Sequence, residues 1–134
     1  MATYQERFDT ARPTYTRVNE KKFADLPAGT TVLIPSPSDI QFELNQLDAD
    51  EQITLTELRR RLADRHGADG TCPVMCGMNM RIVAELALEA LDAGVPEADV
   101  VPVWNGIDPS SNLASKLPGG RERIQRLRRS GKPE

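Results

Sequence analysis

The sequence predicts a mainly α-helical domain with a small β component, and three observations carry that expectation. Apolar residues recur at three- and four-residue spacings over several windows, each opened or closed by capping residues. Aromatics make up only 4% of the 134 residues, so a core must be built from Leu, Ile, Val, Ala and Met packed between helices. Extended apolar runs are short and confined to residues 30–37 and 100–104. The length and the 39% hydrophobic content fit one domain with one core, read as an N-terminal arm over 1–29 and a domain over 30–134.

The arm carries scattered aromatics (Tyr4, Phe8, Tyr15, Phe23) and weak periodicity, which predicts one short helix lying against the domain. TTVLIPSP gives a short extended run. Ser36-Pro37-Ser38-Asp39 then starts a helix, with Ser as N-cap and Pro at the first helical position, and Ile40, Leu44 and Leu47 form its apolar stripe to about Asp48. Thr54-Leu55-Thr56-Glu57 is a capping box that opens a second helix. Leu55, Leu58 and Leu62 are expected to face the core and Arg59, Arg60, Arg61 and Arg65 the solvent, with Gly67 as a left-handed C′ residue. After ADGTCP, a third helix is expected over MNMRIVAELALEALDAG, with Arg81, Glu85, Glu89 and Asp92 as its polar stripe and Gly94 and Pro96 as its stop. VVPVW reads as a strand, IDPSSNLASKLPGG as a loop with room for a hairpin, and RERIQRLRRS as a basic helix with Ile124 and Leu127 turned inward.

The net charge of −3 argues against a protein that grips nucleic acid over its whole surface. The distribution is uneven. Over residues 110–134, seven Lys and Arg face two Glu, a local +5, and Arg59, Arg60, Arg61 and Arg65 with Asp64 add a local +3. One basic face on an acidic protein suffices for local phosphate contact, although solvated helix exteriors have the same signature. No apolar run is long enough for a membrane span and no export signal is visible, which predicts a cytoplasmic protein without membrane contact and with Cys72 and Cys76 reduced.

Two helices joined by a connection, then a strand and a hairpin-like loop, resemble a winged helix-turn-helix. The order of residues is similar to a specific family. ITLTELRRRLADRHG, MRIVAEL, VPVWNGI, the pair Gly119-Gly120 and Gly131 resemble the C-terminal domain of the alkylguanine-DNA alkyltransferases (methylated-DNA-cysteine methyltransferases), more closely their alkyltransferase-like relatives, over residues 53–131. The IPSP and CP segments resemble a bacterial branch of that fold. Arg81-Ile82-Val83-Ala84 stands where the family has Arg-Ala-Val-Gly, and Pro102-Val103-Trp104-Asn105-Gly106 where it has Pro-Cys-His-Arg-Val.

The resemblance implies an acceptor cysteine at Val103, which has no nucleophilic atom. Trp104 cannot act as a base at neutral pH and Asn105 carries no charge, so the usual alkyl transfer is impossible there. It therefore implies a non-enzymatic protein that binds alkylated or extruded bases in DNA repair, with no cofactor and no metal. Arg81 takes the role of the finger that fills the gap left by an extruded nucleotide, with Pro102, Val103, Trp104, Asn105, Arg121 and Arg123 completing the DNA-binding set. Leu55 stands where the family often has a Tyr, Glu85 and Glu89 share the face of Arg81, and binding is expected to be weak.

Each residue also has a plainer reading. Arg81 pairs with Glu85 at (i, i+4) as an ordinary surface contact. Trp104 is either a stacking platform for a base or a core aromatic at a strand end. Cys76, read as directly preceding the third helix, is an alkyl acceptor favoured by the helix dipole or a small buried hydrophobe. His66, Cys72 and Cys76 fall short of a structural zinc set. The alternative functions are a protein-interaction module on the same fold, serving a protein partner without DNA, and a methyl acceptor that uses Cys76.

Overall fold

The computed structural model describes residues 3–130; Gly131, Lys132 and Glu134, which enter the resemblance or the charge balance, lie outside them. The described chain is mainly helical with a small three-stranded sheet. The elements run α1 (Tyr4–Thr10), β1 (Tyr15–Val18), β2 (Thr31–Ile34), α2 (Pro37–Asn45), α3 (Leu55–His66), β3 (Gly70–Thr71), α4 (Pro73–Asp92), α5 (Asn112–Lys116) and α6 (Gly120–Ser130), with 3-10 turns at Glu97–Asp99 and Val103–Asn105.

Local signals fix most helix ends. The Ser36 hydroxyl accepts from the Asp39 backbone N–H at 3.1 Å, Thr54 does the same for Glu57 at 3.1 Å, and Gly67 closes α3 at φ 67°. α4 starts at Pro73 rather than Met78. Proline there sets φ and wastes no donor, so the helix begins as soon as the chain leaves β3. Cys76 consequently lies inside the helix, not before it.

β2 is the middle strand, antiparallel to β1 (Tyr15 opposite Ile34) and parallel to β3 (Leu33 opposite Thr71). Alternation along β2 splits its side chains between two clusters. Leu33 enters the main core, while Val32 and Ile34 pack with Leu26 and Cys72 on the other face. The main core is built around α4, whose Cys76, Met80, Val83, Ala84, Ala87 and Leu88 are buried against α2, α3, α6 and the 103–105 turn. Each fully buried Leu or Met there contributes about 1.5–3 kcal/mol. The arm supplies α1, which packs on α4, and β1.

Four further expectations are corrected. VVPVW is not a strand: the Val103 N–H bonds back to the Val101 carbonyl at 2.8 Å and the chain coils into a 3-10 turn. The loop expected over 107–120, with room for a hairpin, is a turn followed by the short helix α5. Among the expected outward arginines, Arg59 folds in: its guanidinium donates to the Thr71 carbonyl at 3.0 and 2.9 Å and to Asp25 at 2.7 Å. Glu85, placed on the polar stripe, is also buried.

Asp39 is the polar hub between the arm, α2 and α3. Its carboxylate takes hydrogen bonds from Thr14 and from Arg65 (2.8 Å) and lies 3.2 Å from His66 Nε2. Burial opposes its ionisation, but the bonds from Thr14 and Arg65 overcome that and hold its pKa below the ordinary value. A depressed carboxyl stabilises the fold above its unfolded pKa, about 3.9, and that contribution disappears as pH falls through the folded value. Acid should therefore cost the native chain more stability than Asp39→Asn between about pH 5 and 3. Urea titrations at both pH values measure this, and parallel losses in the two proteins would contradict it.

Candidate functional site

The 102–107 segment is irregular and held from several sides. The Asn105 carbonyl accepts from the Ile53 N–H at 2.8 Å, and the Asn105 side-chain amide donates to the Ala49 carbonyl at 3.4 Å. Arg128 on α6 donates from Nε to the Trp104 carbonyl at 2.6 Å and from Nη1 to Gln52 at 3.2 Å. Gly106 is required by close approach: a Cβ there would lie 2.8 Å from Leu44 Cδ2 and 3.2 Å from Met80 Cε. The loop before α3, the 102–107 segment and α6 are thereby fastened together.

Cavities flank the segment. One of about 510 Å³ opens where α3 begins, with Leu55, Ile107 and Leu113 as its apolar walls and Thr54, Asp108 and Arg128 among its polar groups. Burial pushes the Arg128 guanidinium down from its usual pKa, and Asp108 partly offsets this. Asp108 is itself held below its usual value by the Ser110 backbone N–H (2.9 Å) and hydroxyl (2.8 Å). The other cavity, about 420 Å³, is bordered by Leu47, Glu97, Pro102, Trp104 and Asn105.

The residues singled out in the sequence do not gather into one site. Val103 is fully buried in the main core, and Trp104, at 4% exposure, is a core aromatic rather than an open stacking platform. Arg81 lies on the open face of α4 with its Nε 3.3 Å from the buried Glu85 carboxylate. Val74 and Met78, exposed on the same helix, precede it by about two turns and one turn. Arg121 is exposed on α6 beside a groove shared with Arg126 and Arg129. Arg123 is spent internally, paired with Asp92 at 2.8 Å across to the end of α4.

Ile107, Leu113 and Arg128 are cavity walls that sequence reasoning did not single out. Leu55 was expected in the core, yet it is half-exposed; its place directly after the N-cap was the available signal. Nothing local distinguishes Arg128 from its neighbouring arginines.

The thiols offer no open nucleophile. Cys72 and Cys76 are both buried, and burial pushes Cys76 up to about 12 despite Arg59 nearby. Among the described residues no group of three His, Cys, Asp or Glu side chains is placed to hold a metal ion, and no helix is long and apolar enough to cross a membrane. The chain matches no family model, no curated protein and no solved structure.

Two measurements check this geometry. Iodoacetamide at about pH 8, below the raised thiol value, should leave Cys76 unmodified in the native protein and modify both cysteines in urea; rapid native labelling of Cys76, read by peptide mass, would contradict its burial. Arg128→Met should lower unfolding free energy by about 1–3 kcal/mol, because the Trp104 carbonyl loses its donor. Arg126→Met, on the exposed side of α6, should change it by under about 0.5 kcal/mol in the same denaturant titration.

Proposed function

We propose that this chain is a non-catalytic DNA-binding protein of the alkyltransferase-like type, on a winged-helix-like domain, that receives an extruded or alkylated base. The observation that carries the reading is the cavity of about 510 Å³ between the start of α3 and the turn after Val103. Its size falls within the ordinary range for small-molecule sites, and its apolar walls with a few polar groups suit a planar heterocycle. It follows directly on the segment where the resemblance expects the acceptor cysteine. Val103 is buried behind the cavity rather than in its walls and carries no nucleophile, so a bound base is recognised and released without transfer.

The helix pair supports the same reading. α3 and α4 are joined by residues 67–72, and the first half of α4 leaves Val74, Met78 and Arg81 exposed. The second helix of a helix-turn-helix reads base edges with its N-terminal residues, where apolar side chains meet thymine methyl groups and Arg enters the stack or the groove. Arg121, Arg126 and Arg129 supply phosphate contacts, and the turn bearing α5 takes the place of the wing. Glu85 restrains Arg81, so releasing the finger leaves a buried carboxylate unpaired; this limits affinity.

A second reading, a protein-interaction module, is favoured by the same exposed Val74 and Met78, which a protein groove also suits. Fluorescence anisotropy with duplexes that contain or lack alkylguanine separates the two across a salt series. Binding should prefer the alkylated duplex, fall steeply with salt, and drop about tenfold in Arg81→Ala. No binding at about 50 mM salt would overturn the DNA reading, and a protein partner retained by Arg81→Ala would favour the module.

A further inference from the structure

A separate cavity of about 440 Å³ lies between α1, β1 and α4, and its chemistry differs from that of the cavity at the start of α3. Its apolar lining comes from Ile34, Met75 and Ile82, and its polar lining includes Arg7, Arg12 and Asn79. The two arginines differ from the five that are ion-paired. Arg59, Arg61, Arg65, Arg81 and Arg123 each meet a carboxylate, whereas neither Arg7 nor Arg12 does among the described residues. Arg12 instead lies over the Tyr15 ring, its Cζ 3.8 Å from the centroid, so guanidinium and phenol together form one wall.

Asn79 adds the opposite hydrogen-bonding sense. It is buried, and its Nδ2 donates to the Pro35 carbonyl at 2.7 Å, while no protein donor reaches its Oδ1 among the described residues. The cavity thus combines two unpaired guanidinium forks, a wall of guanidinium and phenol, an apolar lining and one fixed acceptor. The forks match a phosphomonoester, which carries close to two negative charges at neutral pH. Lining and wall match a flat heterocycle, and the acceptor matches an exocyclic amine.

We propose that this cavity binds a nucleoside monophosphate carrying an exocyclic amine, phosphate toward Arg7 and Arg12 and base between α1 and α4. The site does not depend on DNA binding. α1 buries none of its residues and touches the core through the partly buried Phe8, so a ligand that bridges Arg7 to α4 also fastens that helix.

AMP is the probe, titrated by calorimetry and by amide chemical shifts on the full chain. Saturable binding is expected, with shifts at Ile34, Met75, Asn79 and Ile82, and with adenosine and inorganic phosphate each at least about tenfold weaker. The Arg7→Ala/Arg12→Ala double variant changes only exposed side chains, should melt like the native protein, and should lose at least about tenfold in AMP affinity. The proposal is overturned by absence of saturation at millimolar AMP, by shifts confined to other surfaces, by adenosine binding as well as AMP, or by an unaffected double variant. The adenosine comparison needs only the native chain, so it decides the matter even if the variant folds poorly.

Discussion

The candidate site depends on how one irregular segment is pinned. Within residues 102–107 the 3-10 turn pairs only the Pro102 and Val103 carbonyls with the Asn105 and Gly106 N–H groups, so the Trp104 and Asn105 carbonyls must find partners elsewhere. The Ile53 N–H in the loop before α3 and the Arg128 guanidinium on α6 provide them, and the Ala49 carbonyl of the same loop takes the Asn105 side-chain amide. A buried carbonyl bonded to a charged donor is costly to orphan, and this fixes the spacing between the start of α3 and α6. The cavity walls are a by-product of that spacing. Gly106 completes the arrangement, since any side chain there would drive Leu44 and Met80 apart.

The arginines show why charge along a sequence is a poor map of charge on a surface. Arg59 ties α3 to β3 and to Asp25, Arg65 joins α3 to α2, Arg123 joins α6 to α4, and Arg128 holds the 102–107 segment. A guanidinium carries several donors in a rigid fork, so it can satisfy carbonyls and carboxylates together where elements of different direction meet. A chain with few aromatics and many short elements has many such junctions. The cations left over include Arg60 on α3, Arg17 on β1, the outer side of α6, and Arg7 and Arg12 beside the α1 cavity.

What the sequence revealed follows from range. Ser36, Thr54 and Gly67 act on backbone groups within a few residues, so their effect is readable locally. The 100–104 run was misleading because its valines favour strands, whereas Pro102 removes a ladder donor and the Val103 N–H turns back on Val101. Pro73 was a legible helix start that the apolar period further along obscured. The cavity walls were not legible: Leu55, Ile107 and Leu113 converge only in three dimensions, and nothing in their local sequence encodes it. Glu85 likewise matched the outward face by period, yet neighbouring elements cover it.

β1 is four residues long, lies at the margin of the sheet, and leaves all but its first side chain exposed. A margin of that kind invites a neighbouring molecule to extend the sheet by main-chain pairing. Arg17 stands inside the strand, exposed, and a cation there makes parallel stacking of identical copies unfavourable because like charges meet at close spacing. A neutral residue at this position would remove that safeguard against self-association, although Arg17 takes no part in the fold's own packing.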